Sequence, residues 1–109
     1  MFETERFKEL LQSAVSTEAR DNNLQEYQVG IIGYLQTLAS QNESVLMERE
    51  LRKVAGARRG IPDALNSARE LTKDASKYAV AEKRAVLRLS DIEAAYKDKF
   101  CQFWPFCKS

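Results

Sequence analysis

The densest group of side chains that could do chemistry is basic and lies near the middle of the chain. Five positive charges fall within eleven residues, opposed there by a single acidic residue, Glu50. On one helical face such charges neutralise phosphates and give DNA binding that weakens with salt, although a charge run is also typical of a solvated helix face. The cluster comprises Arg49, Arg52, Lys53, Arg58 and Arg59, and a nucleic-acid patch would comprise Arg49, Arg52, Lys53, Arg84 and Arg88.

The residues needed for the common kinds of catalysis are missing from this sequence. It has no histidine and only two cysteines, which excludes imidazole bases and the common zinc sites. It has neither a GxxxxGK[ST] nor a GxGxxG loop to hold a nucleotide phosphate. Carboxylates such as Asp91 and Glu93 are better interpreted as helix caps and as partners of residues four positions away on a helix than as an acid–base pair. We therefore expect a non-catalytic protein with no catalytic residue, no metal site and no cofactor of its own.

Length and composition are those of one ordinary globular domain. The 109 residues are 44% hydrophobic and 30% charged, with 17 basic and 16 acidic residues and a formal charge of +1. No apolar run is long enough to cross a membrane, and the first residues are charged where a signal peptide would be apolar. These features predict a cytoplasmic protein that does not enter membranes and has no overall field to attract nucleic acid.

The hydrophobic spacing predicts an all-α, single compact domain of about five helices, with no sheet and no internal repeat. A bundle over residues 1–100 would be followed by a short aromatic tail over 101–109. The turn Gly60-Ile61-Pro62 is the clearest break between helices. The predicted helices cover about 4–18, about 24–40, from Ser40 or Ser44 to about Arg58, from Pro62 to about Lys83, and from Ser90 to Phe100, the last preceded by an extended Val86–Leu89.

Local signals support these boundaries. Ser40–Glu43 and Ser90–Glu93 both have the S-x-x-E form of a capping box, which predicts a helix start at each. Gly30 and Gly33 lie inside the second predicted helix, where each costs on the order of 1 kcal/mol relative to alanine. They indicate either a close approach of another backbone or slack in a buried helix, and the sequence leaves both open.

The stretch from Gly60 to Tyr96 resembles the C-terminal helical lid of AAA+ ATPases, in particular the DNA-transposition and type II secretion ATPases. The resemblance rests on the Gly-x-Pro turn, on Leu65-Asn66 in the helix that follows it, and on the apolar pair before Ser90-Asp91-Ile92-Glu93-Ala94-Ala95. It covers the last third of the chain well, and it implies a lid-like bundle. In that family a Gly-x-Pro-Arg turn carries an arginine that senses the nucleotide γ-phosphate.

This sequence departs from the family at the sensing position, which is Asp63 here. A carboxylate repels phosphate where a guanidinium would attract it, and Arg58 and Arg59 are the nearest substitutes. The resemblance implies a nucleotide-proximal or subunit interface made of Arg58, Arg59, Gly60 and Pro62. It also implies an ATPase domain or neighbouring subunit as partner, with ATP or ADP present only where a larger ATPase domain is joined.

Two alternatives remain. The terminal pattern also resembles the histone fold, in which Lys83, Arg84 and Arg88 would flank a DNA-contacting loop, although Pro62 makes the preceding helix short for a histone-type central helix. The histone-fold hypothesis predicts a DNA-binding dimer. A free-standing helical adaptor or inhibitor is the third candidate, and it predicts a protein partner instead.

The aromatic tail has two interpretations. Phe103, Trp104 and Phe106 are too large to leave in water without a reason, so the tail either completes the core or docks a partner. In a cytoplasmic chain Cys101 and Cys107 should be free thiols.

Overall fold

The fold consists of four helices and two very short strands. The computed structural model describes residues 2–53, 61–99 and 106, and for 42–53 only the course of the backbone is considered. In chain order the elements are α1 (Glu5–Asp21), β1 (Glu26–Tyr27), α2 (Gly30–Lys53), α3 (Ile61–Ala81), β2 (Val86–Leu87) and α4 (Leu89–Asp98). The prediction of a mostly helical, compact domain is confirmed.

The predicted helix start at Ser40 or Ser44 is wrong, because α2 runs through both residues to Lys53. No glycine or proline interrupts residues 34–53, and Leu, Met, Glu and Arg in this stretch favour helix. The S-x-x-E pattern at Ser40–Glu43 therefore lies inside a helix, where the backbone N–H groups already have partners. The described residues thus contain four helices rather than five.

Helix α1 begins and ends at recognisable caps. The Thr4 hydroxyl accepts a hydrogen bond from the Phe7 backbone N–H at 3.1 Å, which satisfies one of the free donors of the first turn. The chain leaves the helix at Asn22, and Asn23 adopts a left-handed conformation with φ of 68°. Asparagine tolerates that conformation better than most residues, so it suits the turn that follows the helix. Helix α1 therefore ends at Asp21, three residues after the predicted end at residue 18.

The core lies mainly between α1 and α3, with α4 packed on α3. The hydrophobic spacing places Phe7, Leu10, Leu11, Ala14 and Val15 on one stripe of α1, and this stripe is buried, with Leu10 half-buried at its edge. The apolar and small residues that recur at helical spacing in α3 are also buried except for Tyr78, which is 37% exposed. The buried residues of the two helices are Phe7, Leu11, Ala14, Val15 and Ala19 in α1, and Ala64, Leu65, Ala68, Leu71, Thr72, Ala75, Ser76 and Ala79 in α3.

A two-stranded parallel sheet joins the first half of the chain to the second half, contrary to the prediction of no sheet. Glu26 pairs with Val86 and Tyr27 with Leu87. The extended conformation predicted at Val86 is confirmed, whereas residues 24–29 were wrongly assigned to a helix. Two residues are too few to produce an alternating pattern, and each strand pairs with a partner 60 residues away in the chain.

The pairing reveals a structural repeat that the sequence does not show. The first half, α1–β1–α2, and the second half, α3–β2–α4, have the same order, and paired strand positions lie 60 residues apart. The same offset relates the left-handed residues Asn23 and Lys83, with φ of 68° and 58°. The chain therefore contains two helix–strand–helix halves.

Gly33 lies on an exposed side of α2, and outside its own stretch of helix no described atom lies within 4 Å of the position a Cβ would take. The close approach considered for Gly30 and Gly33 is therefore wrong for the described residues. We expect Gly33→Ala to raise the free energy of unfolding by up to about 1 kcal/mol, because alanine loses less backbone entropy in a helix. Urea unfolding followed by circular dichroism measures this, and a destabilised variant would contradict it.

Candidate interaction surface

An ion-pair network joins the loop after α3 to the start of α4. The Arg84 guanidinium donates two hydrogen bonds to Asp91, from Nη2 to Oδ1 at 2.7 Å and from Nη1 to Oδ2 at 2.9 Å. Its Nε donates to Glu82 Oε2 at 2.8 Å and its Nη1 to the Val86 carbonyl at 3.2 Å. The Asp91 side chain is only 4% exposed and that of Arg84 is 15% exposed. Such a two-point contact fixes the orientation of both groups.

Asp91 also caps α4, in a different way from the predicted capping box. Its Oδ2 accepts a hydrogen bond from the Arg88 backbone N–H at 2.9 Å, while α4 begins at Leu89. Ser90 is exposed within the first turn rather than preceding the helix. The interpretation of Asp91 as a helix cap is confirmed, and its ion-pair partner is Arg84, seven residues earlier, rather than a residue four positions away.

The surroundings of Asp91 shift its titration. Burial alone would raise the pKa of the Asp91 carboxyl. The Arg84 and Arg88 hydrogen bonds and the two positive charges outweigh that effect, so the pKa lies below its ordinary value. Hydrogen bonds to Asp91 and then Glu82 raise the pKa of Arg84 further above its already high value. Both groups are therefore charged at neutral pH, and each neutralises the charge of the other.

Replacing Asp91 by asparagine is expected to lower the free energy of unfolding at pH 7 by about 2 kcal/mol, through loss of charge-assisted hydrogen bonds. A carboxyl with a lowered folded-state pKa stabilises the fold above its unfolded pKa of about 3.9, and this contribution is lost as the pH falls through the folded value. The difference between wild type and Asp91→Asn should therefore be constant above about pH 5 and shrink below pH 4.

Denaturant unfolding of both proteins across this pH range measures the effect. Glu82→Gln is the matched control, because Glu82 also contacts Arg84 but its side chain is 66% exposed. We expect that control to change stability by less than about 0.5 kcal/mol. A wild-type and Asp91→Asn difference that did not depend on pH would contradict the assignment.

The residues of the expected nucleotide-proximal turn are only partly described. Pro62 lies in the first turn of α3 and is exposed, and Asp63 beside it is exposed as well. Proline fits there because the N–H that it lacks would have no helical partner. Arg58, Arg59 and Gly60 lie outside the described residues.

The basic residues proposed for nucleic acid do not form one described group. Arg49, Arg52 and Lys53 belong to the α2 backbone, but their side chains lie outside the described part. Arg84 is held by Asp91 and Glu82, so its charge is largely compensated. Arg88 is exposed.

Phe106 belongs to the hydrophobic core, with its side chain fully buried. This favours, for Phe106, the interpretation that the aromatic tail packs on the bundle. Phe103 and Trp104, the other residues considered for partner docking, lie outside the described residues, as do Cys101 and Cys107.

Sequence reasoning missed a surface on α2 that carries no charge. No Asp, Glu, Lys or Arg lies between Glu26 and Glu43, although the whole chain is 30% charged. Val29 is 85% exposed. Protein interfaces are depleted of charge at their centres, so the uncharged run was a signal available in the sequence. The exposed positions of this surface are Val29, just before α2, and Gly30, Gly33, Thr37 and Gln41 on α2.

A polar groove of about 400 Å³ lies beside this face, between α2 and the chain leading into α1. On one side of it, Gln36 Nε2 donates to the carbonyl oxygens of Phe2 and Thr4 at 3.1 and 3.2 Å. The described residues contain no cluster of metal-ligating side chains and no helix long and apolar enough to cross a membrane. Comparison with protein-family models, curated proteins and solved structures finds no match.

Proposed function

We propose that this chain is a non-catalytic helical interaction module, built like the lid of an AAA+ ATPase, that couples the nucleotide state of an ATPase domain to contacts between subunits or partners. ATP or ADP would be bound only where the chain is joined to, or meets, that larger domain. The observation that carries the proposal is the start of α3 at Ile61, with Pro62 in its first turn, directly after the Gly60 of the lid-like motif.

The order of elements after that turn supports the same proposal. Helix α3 is followed by an extended pair at Val86–Leu87 and then by α4, which is the order that the resemblance implies. The uncharged face of α2 adds a second kind of support, since a module that acts by contact needs a surface with little cost of desolvation.

The mechanism would be mechanical. Helices α1, α2 and α3 would move as a rigid body, and Arg58 and Arg59, which precede the Gly60-Ile61-Pro62 motif in the sequence, would contact the partner. A change of bound nucleotide in the partner would rotate this rigid body, because a packed core moves as a unit rather than deforming. Asp63 makes direct phosphate sensing at that turn unfavourable, so coupling would pass through the neighbouring basic residues.

The proposal is tested by supplying an ATPase domain in trans. The phosphate-loop domain encoded nearest to this chain is titrated into the 109-residue protein by calorimetry, with ADP or with a non-hydrolysable ATP analogue. We expect binding whose dissociation constant differs between the two nucleotides by at least about fivefold, the lower end of ordinary allosteric coupling. Arg58→Ala/Arg59→Ala should weaken that binding, whereas Arg20→Ala, an exposed arginine on α1, should not.

The remaining candidates give different outcomes in the same preparation. A histone-like DNA binder would show no ATPase binding, a homodimer in solution, and an affinity for generic DNA that falls steeply between two salt concentrations. An adaptor or inhibitor would bind neither the ATPase domain nor DNA. Absence of binding in both nucleotide states contradicts the lid-like proposal.

A further inference from the structure

The two halves of the chain are equivalent at the level of individual hydrogen bonds. The Leu24 N–H donates to the Ala19 carbonyl, and the Arg84 N–H donates to the Ala79 carbonyl, both at 2.9 Å. With the strand pairing and the left-handed residues, these bonds place Leu24 and Arg84 at corresponding positions.

The correspondence continues into the second helix of each half. The Ile31 N–H donates to the Gln28 carbonyl at 3.1 Å, and the Asp91 N–H donates to the Arg88 carbonyl at 3.0 Å. Ile31 and Asp91 therefore occupy equivalent places in the first turns of α2 and α4.

These two equivalent positions hold apolar residues in the first half and charged residues in the second half. In the first half they hold Leu24, 2% exposed, and Ile31, fully buried, and both belong to the apolar core. In the second half they hold Arg84 and Asp91, joined by two hydrogen bonds. Apolar attraction does not depend on the protonation of a side chain, whereas an ion pair loses its attraction when either charge is removed.

We propose that the Arg84–Asp91 pair is a charge-dependent latch, which holds the start of α4 against the loop after α3 and lets α4 open while the first half of the domain stays folded. A second ion pair, from Lys99 Nζ to Asp74 Oδ2 at 3.1 Å, joins the residue after α4 to α3 and is kept in every variant below. Helix α4 is the shortest of the described helices, with 10 residues, and segments of one fold open locally at different free energies. Opening uncovers the buried face of α4, formed by Ile92, Ala95 and Tyr96.

Among the described residues, the charged groups that face the Asp91 carboxyl are Arg84, after α3, and Arg88, before α4. Glu82, at the end of α3, faces Arg84 and shares its guanidinium. Protonation of Asp91 removes the negative charge that both arginines neutralise. It leaves a neutral carboxyl between two cations, and the latch is released.

Amide hydrogen exchange at neutral pH, read residue by residue by NMR, tests the latch. In the wild type we expect amides of α4 to exchange faster than those of α1 and α3. Val15→Ala, a core substitution in α1, should lower protection in α1 about tenfold and leave protection in α4 unchanged, since α4 opens without breaking the contacts of Val15. Asp91→Asn should lower protection in α4 by about tenfold or more.

The first half supplies the matched control. The variant Arg84→Leu/Asp91→Ile copies the residues of the first half. When it is acidified, the NMR signals of α4 should disappear at the same pH as those of α1. In the wild type, the α4 signals should disappear at a higher pH than the α1 signals. Equal loss of α1 and α4 protection in Val15→Ala, or a single acid transition in the wild type, would overturn the latch. The two single variants decide the question even where the double variant fails to fold.

Discussion

Replacing Leu71 by alanine is expected to lower the free energy of unfolding by about 3 kcal/mol, a typical value for a leucine truncated in a packed core. Leu71 is fully buried in α3, the helix that contacts both α1 and α4. Truncation removes apolar contacts and leaves a cavity that helices on two sides can close only in part. Urea unfolding followed by tryptophan fluorescence and by circular dichroism measures the change.

Val80 provides the control for this substitution because it lies on the same helix and is 52% exposed. Val80→Ala should change the free energy of unfolding by no more than about 0.5 kcal/mol. Similar effects of the two substitutions would mean that α3 does not form the centre of the core.

Replacing Phe106 by alanine is expected to lower the free energy of unfolding by about 3 kcal/mol, the lower end of the usual range for a fully buried phenylalanine. The side chain is fully buried in the core although it lies in the last residues of the chain. Its truncation removes the apolar surface that Phe106 buries in the core. Thermal and denaturant unfolding of the variant, and of a chain truncated after residue 100, measure the contribution of the tail.

Val29→Ala is the control for the tail variants, because Val29 is an apolar residue that is 85% exposed. We expect a change of less than about 0.5 kcal/mol there. A Phe106→Ala protein with wild-type stability and reduced partner binding would instead support the docking interpretation of the whole tail.

The core helices could be predicted from the sequence because their signals are local. The apolar stripe through Phe7, Leu11 and Val15 repeats at helical spacing, and so does the small-residue stripe through Ala68, Ala75 and Ala79. Their burial follows from the spacing, since an amphipathic helix in a domain of this size has only one core to cover its apolar face. The break near Pro62 was equally local.

The candidate site was predicted less completely. The sequence identified Arg84 as a free charge for nucleic acid, but the fold places the Asp91 carboxyl against it, seven residues along the chain. Whether an arginine is available to bind a phosphate depends on whether an acidic side chain lies close enough to pair with it. The distance between the two side chains is set by the conformation of the folded loop. The prediction that Pro62 lies in the first turn of a helix was correct, because proline restricts its own backbone conformation.

By itself, the sequence determined the helical class, the residues that line the centre of the core, and the lack of histidine and of phosphate-binding loops. Each of these depends on residue types or on spacing within a few turns. The tertiary structure decided the rest: that α2 continues past Ser40, that residues 26–27 pair with 86–87, and that the two halves repeat. Partners 60 residues apart make each strand, so no local pattern encodes it, and the contrast between Leu24–Ile31 and Arg84–Asp91 exists only once that pairing aligns the two halves.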